Sequence, residues 1–95
     1  MSERNDATGR EVVDYKDYIT NVLYLQIDSN GNTIDAIAVQ TNGAVLVPRV
    51  GEDVEVHNRT SGSTVQGVVE SVKHTCSLSV SVNTVFYAEA AIYVR

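Results

Sequence analysis

The stretch HTCSLSVSVNTVFYAEAAIYVR, residues 74–95, places apolar side chains on nearly every even position: Cys76, Leu78, Val80, Val82, Phe86, Ala88, Ala90, Ile92 and Val94, broken by Thr84. A period of two is the signature of extended chain with one face buried. Drawn as one strand from Cys76 to Val94 it would reach about 60 Å at ~3.3 Å per residue, roughly twice the width of a domain this small. The chain must therefore reverse or bend. A two-residue turn would move Val85 onto the face of Val82, whereas an odd-length connection keeps the even positions together. A reversal centred on Asn83-Thr84 is expected, with Cys76 buried in phase with Leu78 and Val80. The odd register of the same stretch holds Ser77, Ser79 and Ser81.

Working back from this stretch, the chain reads as further strands parted by turn chemistry. Tyr18 to Ile27 is rich in tyrosine and branched aliphatics and runs into Asp28-Ser29-Asn30-Gly31-Asn32, whose residues tolerate positive φ. Thr33 to Thr41 alternates loosely, as a strand covered on both sides does. Asn42-Gly43 between apolar runs predicts a hairpin, with Ala44 to Val47 pairing back and Pro48 ending that strand. Val54 to Asn58 and Thr64 to His74 follow, the second needing a bulge near Gly67 or Glu70 to restore its phase. No helix-length amphipathic pattern competes. The fold class expected is all-β: a small antiparallel barrel or sandwich of six to seven short strands.

Residues 1–17 differ from the β domain expected over 18–95. They carry eight of the nineteen charged residues, of both signs. Thr8 and Glu11 fit a capping box, so this charged N-terminal arm is expected to hold a short helix from about Gly9 to Tyr15.

At 95 residues there is room for one domain, and the net charge of −5 with a pI near 4.7 argues against gripping nucleic acid or an anionic membrane. One cysteine rules out an internal disulfide framework, and no apolar run is long enough for a signal peptide or a membrane span. Synthesis in the cytoplasm is expected. His74, Cys76 and His57 lack the C-x2–4-C or H-x3–5-H spacing of structural zinc, so no metal and no cofactor are expected. Asp28-x-Asn30-x-Asn32 opens like a calcium loop but has Thr33 and Val39 where that loop needs glycine and glutamate. No serine elbow, phosphate loop or metalloprotease helix occurs, so no catalytic residue is expected and the protein is read as a non-enzyme.

Binding and assembly remain. Arg49, Arg59 and Lys73, with His57, are candidates for holding an anion such as a nucleotide phosphate if they converge. Ser77, Ser79, Ser81 and Tyr93 form an uncharged strand face with little protection against association, which makes them candidate interface residues. Val47-Pro48-Arg49-Val50-Gly51-Glu52-Asp53-Val54 resembles, over these eight residues, a P-R-V-G-[DE]-x-V hairpin of uncharacterised small β-barrel proteins from bacteria and their phages. The resemblance implies a barrel and a microbial or viral setting, and no functional residue is carried over from it. The expected function is thus a structural or assembly protein, a phage or virus particle component such as a capsid decoration or tail-accessory protein. Its partners would be copies of itself in a homo-oligomer, or capsid or tail neighbours within a virion. The alternative is a small oligomeric protein that sequesters an anionic nucleotide or inhibits another protein.

Overall fold

The computed structural model describes residues 3–5, 11–80 and 84–95. Its strands are β1 (Glu3–Asn5), β2 (Glu11–Val13), β3 (Asp17–Ile27), β4 (Thr33–Asn42), β5 (Asp53–His57), β6 (Thr64–Val80) and β7 (Thr84–Val94). β1 and β2 form an antiparallel ladder of their own, and the others make one five-stranded sheet in the order β4-β3-β7-β6-β5 that curls into a nearly closed barrel. The protein is all-β. Among the described residues no helix is long and apolar enough to cross a membrane.

Local chemistry sets the hairpins. Asp28 Oδ1 accepts from the backbone N–H groups of Asn30 and Asn32, both at 2.9 Å, and Gly31 supplies the positive φ that lets β4 return along β3. Asn58 does the same between β5 and β6, its Oδ1 accepting from Thr60 and Ser61.

Four expectations are corrected. The sheet is not wholly antiparallel, because β3 and β7 run parallel over Asp17↔Val85 to Gln26↔Val94; they are neighbours through long-range contact, which a local pattern does not encode. Ala44 to Val47 forms no strand: Gly43 still donates to the Tyr18 carbonyl at 2.6 Å, so no reversal occurs at Asn42-Gly43 and the chain leaves the sheet to pack Val47 on the core. Glu11–Val13, inside the expected helix, is strand paired with Glu3–Asn5, while Gly9 and Arg10 lie outside the described residues. Thr84 belongs to β7 opposite Val80, so the expected turn at Asn83-Thr84 gives way to three intervening residues, 81–83, which are outside the described set. The odd-length connection keeps Leu78 beside Phe86 and Cys76 beside Ala88, preserving the even register across the hairpin.

One bulge makes the core continuous. Between Val69↔Val94 and Ser71↔Tyr93 the pairing of β6 with β7 slips by a residue at Glu70. Ahead of it the odd residues Val65 and Val69 face inward; beyond it the even ones do, as Val72 shows by packing on the same core. The buried cluster is Val22, Ile37, Val65, Val69, Ile92 and Val94. Each such side chain is worth about 1.5–3 kcal/mol of burial.

Side chains complete the barrel where the main-chain ladder runs out. β7 ends at Val94, yet β6 continues beyond it toward Thr64, leaving N–H groups that a longer β7 would have met. Val68 exchanges both hydrogen bonds with Arg95 at 3.0 Å, Gln66 N–H donates to Gln26 Oε1 at 2.7 Å, and Thr64 N–H donates to Asp35 Oδ2 at 3.2 Å. Gln26 Nε2 in turn donates to the Val94 carbonyl at 3.1 Å. The Asp35 carboxyl sits below its ordinary value of 3.8, chiefly because it accepts from Ala36 N–H and then Thr64 N–H; burial works in the opposite direction and the Ser63 hydroxyl adds to the lowering.

Two outcomes follow from this closure. Gly67 has φ of 143° and a Cβ there would meet the Arg95 carbonyl and the Val94 side chain. Gly67→Ala is expected to cost about 2 kcal/mol, roughly 10 °C in thermal midpoint, read by thermal unfolding. Because the folded Asp35 carboxyl is the stronger acid, its stabilisation is complete above the unfolded value of 3.8 and is lost as pH falls through the folded one. Asp35→Asn should therefore be less stable than wild type at neutral pH and show a shallower loss of urea midpoint on acidification below pH ~4; parallel curves would remove Asp35 from the closure.

Candidate functional site: an uncovered sheet face

The anion candidates divide. His57, the last residue of β5, and Arg59, in the turn after it, line a shallow depression of about 290 Å³ with Asn58, Gly62, Ser63 and Thr64. Arg49 lies in the turn before β5, its N–H donating to Glu52 Oε1 at 2.6 Å, and Lys73 lies on β6 opposite Ala91. Neither lines the depression, so the structure brings together two of the four.

The histidine in that pair already has partners. Its Nε2 is 2.6 Å from Glu55 Oε1 and its Nδ1 3.2 Å from Thr64 Oγ1. An anion arriving at His57 would meet the Glu55 carboxylate first. Both side chains of this pair are about half exposed, so the contact itself adds little to stability.

Cys76 was expected to be buried and is exposed. It is on the inner register with His74, but here the sheet extends past the core cluster, and residues 45 and 47 cover the inner face only as far as a cleft of about 210 Å³. Leu78, two residues further, is 41% exposed for the same reason. At this end Tyr15, Tyr18 and Phe86 stack edge and tilt against one another at 5.1–6.0 Å between ring centres. Among the described residues no three of histidine, cysteine, aspartate and glutamate gather as a metal site would require.

The outer face holds the candidate interface. Ser77 pairs with Tyr87, Ser79 with Val85 and Ser71 with Tyr93, and both Ser77 and Ser79 are exposed; Ser81 lies outside the described residues. The strand beyond β7 extends this face rather than ending it. Leu23 is level with Ala91 and Leu25 with Tyr93, all four half-buried. Across β4, Ala38 and Ala36 continue the same two rows and are exposed. Contacts between the sheet's strands are lateral or run through the barrel interior. The face presents small and apolar groups, with Lys73 and Glu89 set among them.

The leucines of β3 were missed by sequence reasoning, although a signal existed: Tyr18 to Ile27 is apolar on both parities, Val22 and Tyr24 on one and Ile19, Leu23, Leu25 and Ile27 on the other. A strand apolar on both faces expects cover on both.

With this geometry in hand, no protein-family model matches the chain, and no curated protein or solved structure matches it either.

Because Glu55 occupies His57, titration with inorganic phosphate is expected to leave the amide resonances of residues 57–64 in place in the wild type and to move them in Glu55→Gln. Saturable movement in the wild type would restore the anion site.

Proposed function

We propose that this protein is a non-enzymatic assembly module, a building block that associates with copies of itself through the outer face of its sheet. The observation that supports this reading is the uncovered apolar face of β3 and β7, flanked by Ser77 and Ser79 of β6. Leu23, Leu25, Ala91 and Tyr93 make one apolar patch on it, bounded by the polar row Gln40, Asn21, Glu89 and Thr75, and an apolar patch with a polar rim is the form of a contact surface. Small serines suit a surface on which a second sheet must pack at close range, since they neither repel nor stand off the partner. A particle built of many subunits, such as that of a phage or virus, is the setting we propose for it. Nucleotide capture is the weaker reading, because Arg49 and Lys73 do not join His57 and Arg59 and a carboxylate holds the histidine.

The test is solution mass. Wild type is expected to exceed its monomer mass of 10.3 kDa in light scattering, and the double variant Ser77→Lys, Ser79→Lys to return toward 10.3 kDa while keeping its fold, since both positions are exposed. A wild-type mass of one chain at every concentration would overturn the proposal.

A further inference from the structure

The sheet has two edges, and they are built differently. β5 is short and carries Asp53, Glu55 and His57 in five residues, the charged kind of edge that discourages another strand. β4 is twice as long, reads TIDAIAVQTN, and carries one charge, Asp35. From Ala36 to Val47 twelve consecutive residues have no charge at all. In a chain with net charge −5, two copies meeting here meet without ionic repulsion.

The hydrogen-bond parity shows which part of this edge is open. Gly43 N–H donates to the Tyr18 carbonyl, and the β3–β4 register is unbroken from Ile19↔Asn42 to Gln26↔Asp35. Antiparallel pairs alternate between bonded and unbonded, so the odd residues of β4 bond to β3 and the even ones turn N–H and C=O outward. At the start of the strand the outward edge is occupied: Asp35 Oδ1 accepts from Ala36 N–H at 2.8 Å while Oδ2 accepts from Thr64 at 3.2 Å. Ala38, Gln40 and Asn42 have no such cap among the described residues.

We infer that β4 pairs antiparallel with β4 of a second copy about a twofold axis at Gln40, joining two five-stranded sheets through residues 38–42. This rests on the self-association proposed above and names the contact through which it begins. Parity allows a twofold on an even residue, which bonds to its own copy, or on an odd one, which faces its copy unbonded. Gln40 is the centre that pairs Ala38, Gln40 and Asn42 with one another without drawing on the capped Ala36 or on residues past the end of β4. Gln40 then faces its own copy, and Ala38 faces Asn42. Ile34, at the start of β4, is 65% exposed, and Leu46, past its end, is 94% exposed. Asp35 is five residues from the axis and stays clear of its own copy.

The experiment combines mass with register. Gln40→Pro removes an N–H that points away from β3, so the β3 ladder survives, and Ala38→Lys adds an edge charge at a position already exposed. Both are expected to give a one-chain mass by light scattering with the wild-type far-ultraviolet dichroism retained. In a Cys76→Ser background, Gln40→Cys treated with diamide is expected to form a covalent dimer, its two Cα atoms lying about 5.5 Å apart on the axis. Ala36→Cys, with its copies about 25 Å apart in this register, should not. Equal cross-linking at both positions, or none at Gln40→Cys in a protein of dimer mass, overturns the inference. An oligomer dissolved by Ser77→Lys, Ser79→Lys but not by either edge variant overturns this pairing and leaves assembly through the outer face standing; a one-chain wild type overturns both.

Discussion

The slip at Glu70 is the constraint from which the rest of the molecule follows. A strand of seventeen residues with one phase throughout could not keep Val65, Val69 and Val72 in one core, because sixty-five and seventy-two differ in parity. By inserting one unpaired residue, β6 changes phase and direction together, so its first half leaves β7 and crosses toward β3 and β4. That crossing encloses the core. It also creates a gap, since five strands do not supply enough ladder to close a barrel. Gln26 and Asp35 fill the gap with side-chain acceptors set where backbone carbonyls would otherwise be. Of the two N–H groups the Asp35 carboxylate accepts from, Thr64 is the one across the gap, and that contact is acid-sensitive. The barrel is held by its core along most of its length and by chargeable chemistry at one seam.

The same geometry explains why the outer face stays uncovered. The strands of the five-stranded sheet fill its interior, and none of those five crosses back over β3 and β7. Larger β proteins solve this with a second sheet. Here the interior face and the exterior face are both apolar along β3, which only makes sense physically if the exterior one is wet at a cost or is covered from outside the chain.

How much of this could be read in the sequence depended on range. The turns at Asp28–Asn32 and Asn58–Ser63 were legible because asparagine, aspartate and glycine act on their own backbone within a few residues. The bulge was legible too, as a break of phase among the valines of Thr64 to His74 resolved at Glu70. Asn42-Gly43 misled: the dipeptide permits a reversal, but Gly43 spent its N–H on Tyr18 and the chain went over the barrel mouth. The parallel pairing of β3 with β7 was invisible, because no local pattern says which distant strand a strand will meet. Cys76 shows the general limit. Alternation correctly assigned it to the face of Ala88 and Phe86, yet which residues share a face is a local property, and whether that face is covered is a global one. For the candidate site the serines were visible by their plainness, while Leu23 and Leu25 were hidden in a strand that looked like core from either side.

The two edges complete the argument about association. Proteins that must remain apart guard both edges of an open sheet, and this chain shows that it has the means, since β5 is short and charged. Leaving β4 uncharged over its exposed second half is therefore a local property of this edge rather than a poverty of charge in the whole. Eight of the nineteen charges sit before residue 18, and Asp53, Glu55, His57 and Arg59 cluster at the far edge. Along β4 the only charge is Asp35, and on the outer face Lys73 and Glu89 stand on the strands beyond β3. A second copy brought to the β4 edge would bury main-chain donors and apolar surface together, and only the first of these has a register.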